Sequence, residues 1–253
     1  FRCSSAPNPV NRFLGRALCS PRSGIRLRLL ARRDVPIDAA WWRARLTSCR
    51  VRRDGIDATA WRAVHAEGDG LPALVVDRYD RWLVVQLLSA GLETQRGMIV
   101  DALREVFEPE GILFRHDVPT RRLEGLDDGV ELAYGSVPEQ LEVREGAIRW
   151  YAAPWTGQKT GAFLDQRENR LAAGALVPSG GTAPDCFSSH GSFALHLAQR
   201  ASQVTALDVS GEALARGAEH AALNGFSQID FVTGDAFDVL PAWGKAGRRF
   251  DVV

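Results

Sequence analysis

Asp185-Cys186-Phe187-Ser188-Ser189-His190-Gly191-Ser192-Phe193 carries the strongest structural signal in this chain. It joins an apolar run at 183–187 to a helical apolar pattern at 193–200 through a loop of small residues. A loop of this kind at the carboxyl end of a strand lets a ligand approach the backbone, and the following helix offers free N–H groups. Its single glycine, Gly191, is not the three-glycine fingerprint of dinucleotide-binding proteins. Working outward, a helix is expected at 165–176 before the loop. After it come a strand at 204–207, a helix at 212–223, a strand at 229–232, a short helix near 237–240 and the start of a strand at 250–253. Alternation of strand and helix predicts a mainly parallel sheet with helices on both faces.

The ends of the next two strands carry acids. In Val204-Thr205-Ala206-Leu207-Asp208, the carboxylate lies 17 positions beyond Gly191, where it can accept hydrogen bonds from the two hydroxyls of a ribose. Asp208 could instead cap the helix beginning near Gly211. In Phe231-Val232-Thr233-Gly234-Asp235-Ala236, Asp235 can take the exocyclic amine of an adenine or cap the next helix. Three polar elements at the ends of three successive strands describe a nucleoside pocket. With no phosphate-gripping glycine pattern, S-adenosylmethionine is favoured over NAD. Cys186 reads as a small buried hydrophobe.

Upstream the texture changes. Residues 36–66 are expected to form a helical connector, with helix from Ile37 to about Arg53. Gly68-Asp69-Gly70 opens a small mixed α/β domain at 67–153. Its expected elements are a hairpin of 74–79 with 82–88, an amphipathic helix at 92–107, strands at 112–115 and 130–134, and a second hairpin of 141–144 with 147–151. Within residues 1–35 only 26–29 alternates like a strand. Charge is uneven: residues 1–62 hold fourteen arginines, no lysine and four acids, a net +10, and the remainder carries −10. Such a basic segment suggests an anionic partner, nucleic acid above all, although some of these arginines are expected to be simply solvated. The four cysteines show no zinc, redox or disulfide spacing, which fits a reducing cytoplasm. No apolar run reaches membrane-spanning length, no secretion signal opens the chain, and no metal cluster is expected.

Three stretches resemble one family. They are Thr156-Gly157-Gln158-Lys159-Thr160-Gly161-Ala162-Phe163-Leu164-Asp165-Gln166-Arg167, the Asp185–Leu195 block, and Gly68-Asp69-Gly70-Leu71-Pro72-Ala73-Leu74-Val75-Val76-Asp77-Arg78 with Gln86-Leu87-Leu88-Ser89-Ala90-Gly91. The chain is similar, from about Leu14 onward, to the bacterial rRNA large subunit methyltransferase I family, whose members methylate carbon 5 of a cytosine in 23S rRNA. The resemblance implies a remnant of a PUA β-domain at 1–35, the connector and central α/β domain, and an incomplete Rossmann-like methyltransferase domain at 154–253. It also implies 23S rRNA as partner and leaves a homodimer open. Donor contacts would fall to Phe187, Ser188, Gly191, Asp208, Val209, Asp235 and Ala236. Lys159, Gln166 and Arg167 would wall the donor or target-base pocket, with Lys159 alternatively a solvated turn residue and Arg167 a helix-terminal charge. Ser192 and His190 depart from the glycine and threonine of many relatives. The family's Asp-Pro-Pro motif and later nucleophilic cysteine are absent from this sequence, so a donor half-site without turnover is expected. Arg121-Arg122 could touch RNA or be solvated. Two rivals are a non-catalytic RNA-binding protein, supported by the basic segment, and a nucleotide-dependent oxidoreductase, opposed by the missing glycines.

Overall fold

The computed structural model describes residues 2–4 and 13–253, and the chain divides into two compact units. One comprises Phe1–Leu141 with Ala152–Ala162, the other Glu142–Tyr151 with Phe163–Val253.

The first unit opens with an antiparallel sheet of β1 (Arg2–Ser4), β2 (Phe13–Cys19) and β3 (Leu27–Ala31), with β2 central. This corrects the single strand expected at 26–29. β2 was hidden because Gly15 and a register shift between Arg16 and Ala17 break its period of two. Gly15 has a packing reason too, since a Cβ there would stand 2.5 Å from the Ala31 carbonyl oxygen. α1 (Ala39–Val51) is capped by Asp38, whose carboxylate accepts the Trp41 N–H at 2.9 Å. Its buried Trp42, Leu46 and Cys49 follow helical spacing.

The stretch expected to be helical connector also holds β4 (Ala60–His65), likewise masked by a register shift, between Arg62 and Val64. β4 edges a mixed sheet in the order β4-β5-β6-β7-β8, with β5 (Leu74–Tyr79), β6 (Trp82–Leu87), β7 (Gly111–Arg115) and β8 (Val130–Gly135). β6 and β7 are parallel, which requires a crossover. That crossover is α2 (Ala90–Glu93) and α3 (Arg96–Phe107), not one helix over 92–107. The Thr94 hydroxyl donates to the Gly91 carbonyl at 2.8 Å at the break, a side-chain bond of the kind that competes with helix continuation. α1 and α3 cover the sheet with Leu46, Ile99 and Leu103 against Val76, Leu83 and Phe114. Each such buried leucine contributes roughly 1.5–3 kcal/mol. A short α4 (Pro119–Leu123) follows β7.

The hairpin of β9 (Leu141–Glu145) and β10 (Ile148–Ala152) turns through Gly146 at φ 58° and alternates buried and exposed residues. In the second unit come α5 (Arg167–Leu176), β11 (Thr182–Cys186), α6 (Ser192–Ala198), β12 (Gln203–Asp208), α7 (Gly211–Leu223), β13 (Ile229–Thr233) and α8 (Ala236–Lys245). β11, β12 and β13 lie parallel and in that order, matching the parallel sheet expected from the alternation. Pro184 is tolerated because β11 is the end strand. α8 runs well beyond the expected 237–240. The strand expected at 250–253 does not form. Instead the N–H groups of Asp251 and Val252 both donate to the single carbonyl of Thr182.

A buried ion pair ties β9 to α5. Arg170 donates to both oxygens of Glu145, each side chain 2% exposed, and its remaining arm donates to the Phe163 carbonyl at 2.9 Å. Burial alone would raise the Glu145 carboxyl, but contacts from His196 and Arg170 overcome it and hold the group at about 2.

Candidate functional site

Three turns meet at the carboxyl edge of the parallel sheet, all within the second unit. The first, after β11, passes through left-handed backbone at Phe187 (φ 61°), Ser189 (φ 51°) and Gly191 (φ 79°). Only the last residue is a glycine, so the loop holds strain that its surroundings must pay for. Four bonds do so. The Ser188 N–H donates to the Leu207 carbonyl at 3.0 Å, and its hydroxyl to Asp185 Oδ2 at 2.6 Å. The same Asp185 oxygen accepts the Ala194 N–H at 2.9 Å, fixing the start of α6. The Ser189 N–H donates to Asp208 Oδ2 at 2.8 Å.

Asp208 is the hub of the second turn. Its Oδ1 accepts the Ser210 N–H at 2.9 Å, and its carbonyl accepts the Gly234 N–H of the third turn at 3.0 Å. It does not cap α7; Ser210 does, accepting the Ala213 N–H. Asp235 does cap α8, with Oδ1 accepting the Phe237 N–H at 2.8 Å. A carboxylate offers about four acceptor sites, so both acids keep capacity for a ligand beyond these backbone bonds.

Around the acids stand exposed apolar side chains: Phe187 at 65%, Val209 at 68% and Phe237 at 80% relative exposure. The Phe187 and Phe237 rings lie 6.1 Å apart. Phe237 was missed from the sequence, where it reads as an ordinary apolar helix residue. Large exposed rings beside strained turns are the signal that could have found it. Phe187, Ser188, Gly191, Asp208, Val209, Asp235 and Ala236 thus gather at one edge.

Gln166 and Arg167 stand at the start of α5, where Gln166 bonds to Asp165 and Asn169, and Arg167 pairs with Glu168. Lys159 belongs to the first unit, at φ 56° and exposed. There the Thr160 hydroxyl donates to the buried Asp77, and Arg115 donates to the carbonyls of Pro154 and Gly157 at 2.7 and 3.0 Å. Arg121 is not solvated but buried, donating to the Leu87 and Asp127 carbonyls and to Glu93; Arg122 pairs with Asp128.

The electrostatics of the loop follow from its burial. Desolvation, with the like charge of Asp208 adding to it, raises the Asp185 carboxyl to about 6 against the pull of its two hydrogen bonds. Burial and nearby His220 lower His190 to about 4. His220 itself accepts the Tyr151 N–H at Nε2, 3.1 Å, so its Nδ1 carries the proton and donates to the His190 carbonyl. One neutral imidazole therefore ties β10 to the loop after β11, a role the sequence did not suggest. The Cys186 thiol is pushed up by burial and then by Asp185. It is held as a thiol, the wrong form for a nucleophile.

No helix of the described residues is long and apolar enough to cross a membrane. Among the described residues, no cluster of three or more His, Cys, Asp or Glu side chains is placed to hold a metal.

A parallel sheet with ligand-ready turns at its carboxyl edge is the arrangement of a nucleoside-binding α/β domain, and residues 185–253 match the family model described as "Methyltransferase domain". The resemblance read from the sequence is borne out by its relatives. Ribosomal RNA large subunit methyltransferase I of Klebsiella pneumoniae (strain 342) is 37% identical over 257 residues, covering 96% of this chain and 62% of that protein. Curated proteins of the same name from other bacteria lie at 35–36%. The chain thus spans a little over three fifths of the length of the curated relatives it matches. Among solved structures, a protein of Streptococcus mutans assigned as a SAM-dependent methyltransferase superposes with a TM-score of 0.79 at 22% identity, over 95% of this chain and 64% of that one. Another, assigned as a methyltransferase and complexed with SAH, gives 0.80 at 22%, over 95% and 63%. These two establish likeness of fold.

Proposed function

We propose that this chain is the donor-binding portion of an S-adenosylmethionine-dependent methyltransferase acting on RNA, with cytosine C5 of 23S rRNA as its target. The observation that carries the reading is the joining of three strand-end turns through one carboxylate, Asp208, which bonds the loop after β11 by its side chain and the turn after β13 by its carbonyl. Two further facts support it: the relatives named as rRNA methyltransferases and the SAH complex of a structural neighbour.

In this reading Asp208 holds the ribose hydroxyls, Asp235 takes the adenine amine, and Phe187, Val209, Ala236 and Phe237 flank the base. Ser188 and Gly191 offer the loop's backbone to the donor, and Gln166 and Arg167 face the donor or the target base. S-adenosylmethionine supplies an electrophilic methyl group when bound. The protein's share of the chemistry is to orient and to exclude water, because aligned reactants can recover several kcal/mol of the barrier. The strained loop suits that task, since its backbone is fixed by Asp185 and Asp208 before any ligand arrives. Reaching a pyrimidine ring carbon requires an unpaired or extruded base.

Calorimetric titration with S-adenosylmethionine and, separately, NAD tests this. Saturable binding of the first alone, weakened about tenfold or more by Asp208→Ala, is the expected result. Preference for NAD, or affinity indifferent to Asp208, would sink it. The observation favouring a non-catalytic RNA-binding protein is the basic first segment, and that reading expects RNA binding without any affinity for the donor.

A further inference from the structure

The fourteen arginines of residues 1–62 are not equivalent. Arg16 pairs with Asp34, Arg28 with Glu124, Arg43 with Glu105, Arg52 and Arg53 with Asp69, and Arg62 with Asp77. Arg50 donates to the Val106 carbonyl. Arg32, Arg33 and Arg45 are exposed and have no carboxylate partner among the described residues. These three converge on one cavity of about 680 Å³ between the end of β3 and the outer face of α1, with Leu29, Trp41 and Ala44 also lining it.

Trp41 is half-buried, braced edge-on by Trp42 at 5.1 Å, and the Arg45 guanidinium lies 5.3 Å from its ring centroid. The cavity therefore combines a fixed aromatic surface with three cations that make no ion pair among the described residues. Unneutralised guanidinium groups attract phosphates, and a braced indole offers a stacking surface to any base. The volume falls in the range of small-ligand pockets, room for a nucleoside and its flanking phosphates.

We infer that this cavity is a binding site for unpaired RNA, in which one base rests against Trp41 and Arg45 while Arg32 and Arg33 hold the adjoining phosphates. A duplex would present phosphates but no free base face, so the aromatic element favours a single strand over a helix. The inference rests on the RNA-methyltransferase reading only for choosing RNA as the anion. The residues that line the cavity belong to the first unit, and the proposed donor residues from Phe187 to Phe237 belong to the second.

The test is fluorescence anisotropy with a labelled unstructured RNA, and with a duplex of the same length, over a range of salt concentrations. The variants are the combined Arg32→Gln, Arg33→Gln and Arg45→Gln chain, Trp41→Leu, and Arg43→Gln as the paired control. Binding of S-adenosylhomocysteine and circular dichroism are followed in parallel. Expected are a fall of about two in the salt slope for the triple variant and at least about a fivefold loss for Trp41→Leu. Arg43→Gln should match the parent, and the unpaired strand should be preferred over the duplex. An unchanged salt slope in the triple variant, or equal affinity for the duplex, would overturn the assignment. So would a triple variant that keeps its RNA affinity but loses binding to an acidic peptide, because the cavity would then be a protein-docking site. Failure to bind S-adenosylhomocysteine with these RNA effects intact would count against the donor reading and leave the RNA site standing. If Trp41→Leu unfolds the chain, the triple variant alone decides, since its three positions are exposed.

Discussion

The loop at 153–161 in the first unit and the loop at 187–191 in the second both pass through left-handed backbone, at Lys159 and Gly161 in one and at Phe187, Ser189 and Gly191 in the other. They differ in what holds them, a guanidinium with a carboxylate in the first and carboxylates in the second. In the first unit a buried arginine, Arg115, reaches the carbonyls of Pro154 and Gly157, and Asp77 takes the Thr160 hydroxyl. In the second, two carboxylates take N–H groups, Asp185 from Ala194 and Asp208 from Ser189. Anchoring a loop by its carbonyls gives a structural clamp. A loop anchored by its N–H groups gathers acids at its base, which is what a ligand rich in hydroxyl and amine donors requires.

Changing the acids to amides should separate the two kinds of anchor most sharply. Asp77 is fully buried and shared between the Arg62 fork and Thr160. Asp77→Asn should cost about 2 kcal/mol, because it takes the charge from a fully buried carboxylate that answers the half-buried Arg62 guanidinium. Among the described residues Asp185 has no cationic partner, and its charge is penalised by burial, so Asp185→Asn should change stability by less than about 1 kcal/mol at pH 7. Urea titration of both variants checks this, and equal losses would dissolve the contrast.

Acid sharpens it next. His116 in the first unit and His190 in the second are each held down near 4, chiefly by burial. The unfolded chain takes up those protons near 6.5 and the folded chain does not until about 4. The stability they contribute is therefore complete above pH 6.5 and lost as pH falls toward 4, by at most about 1.4 kcal/mol per pH unit for each group. Asp185 works the other way. Its folded form keeps a proton up to about pH 6 and its unfolded form releases one near 3.8, so acid relieves a penalty in that window. Denaturant midpoints measured across these values should fall with acid. The slope should flatten in His116→Gln or His190→Gln and steepen in Asp185→Asn.

The smallest effect expected comes from Ser189→Gly. Its φ of 51° suits glycine, and its bond to Asp208 runs through the backbone. Stability should rise by about 1 kcal/mol or less with donor affinity unchanged, readable as a small increase in Tm. A drop in affinity would mean that the serine side chain itself meets the ligand.

Much of this molecule could be read along the chain. The alternation after residue 165 marked a parallel sheet, because buried parallel strands and amphipathic helices carry unmistakable local patterns. The small-residue loop and Asp208 were identifiable because a turn at a strand end must be small and polar whatever surrounds it. β2 and β4 were not, since a bulge in each disrupts the period of two that identifies a strand, and only pairing across the sheet restores it. The choice between capping and binding was likewise beyond local pattern. Asp208 and Asp235 look alike in sequence, yet Asp235 caps its helix while Asp208 bridges two turns, because Ser210 had already taken the capping position on α7. Composition fixed the +10 of the first segment. Which of its arginines remain unneutralised was decided by folding, which brings acids from Asp34 to Glu124 against some guanidinium groups and leaves Arg32, Arg33 and Arg45 facing an open cavity. Local pattern sets backbone conformation, but the partner of a charge is a long-range contact, and only the tertiary structure supplies it.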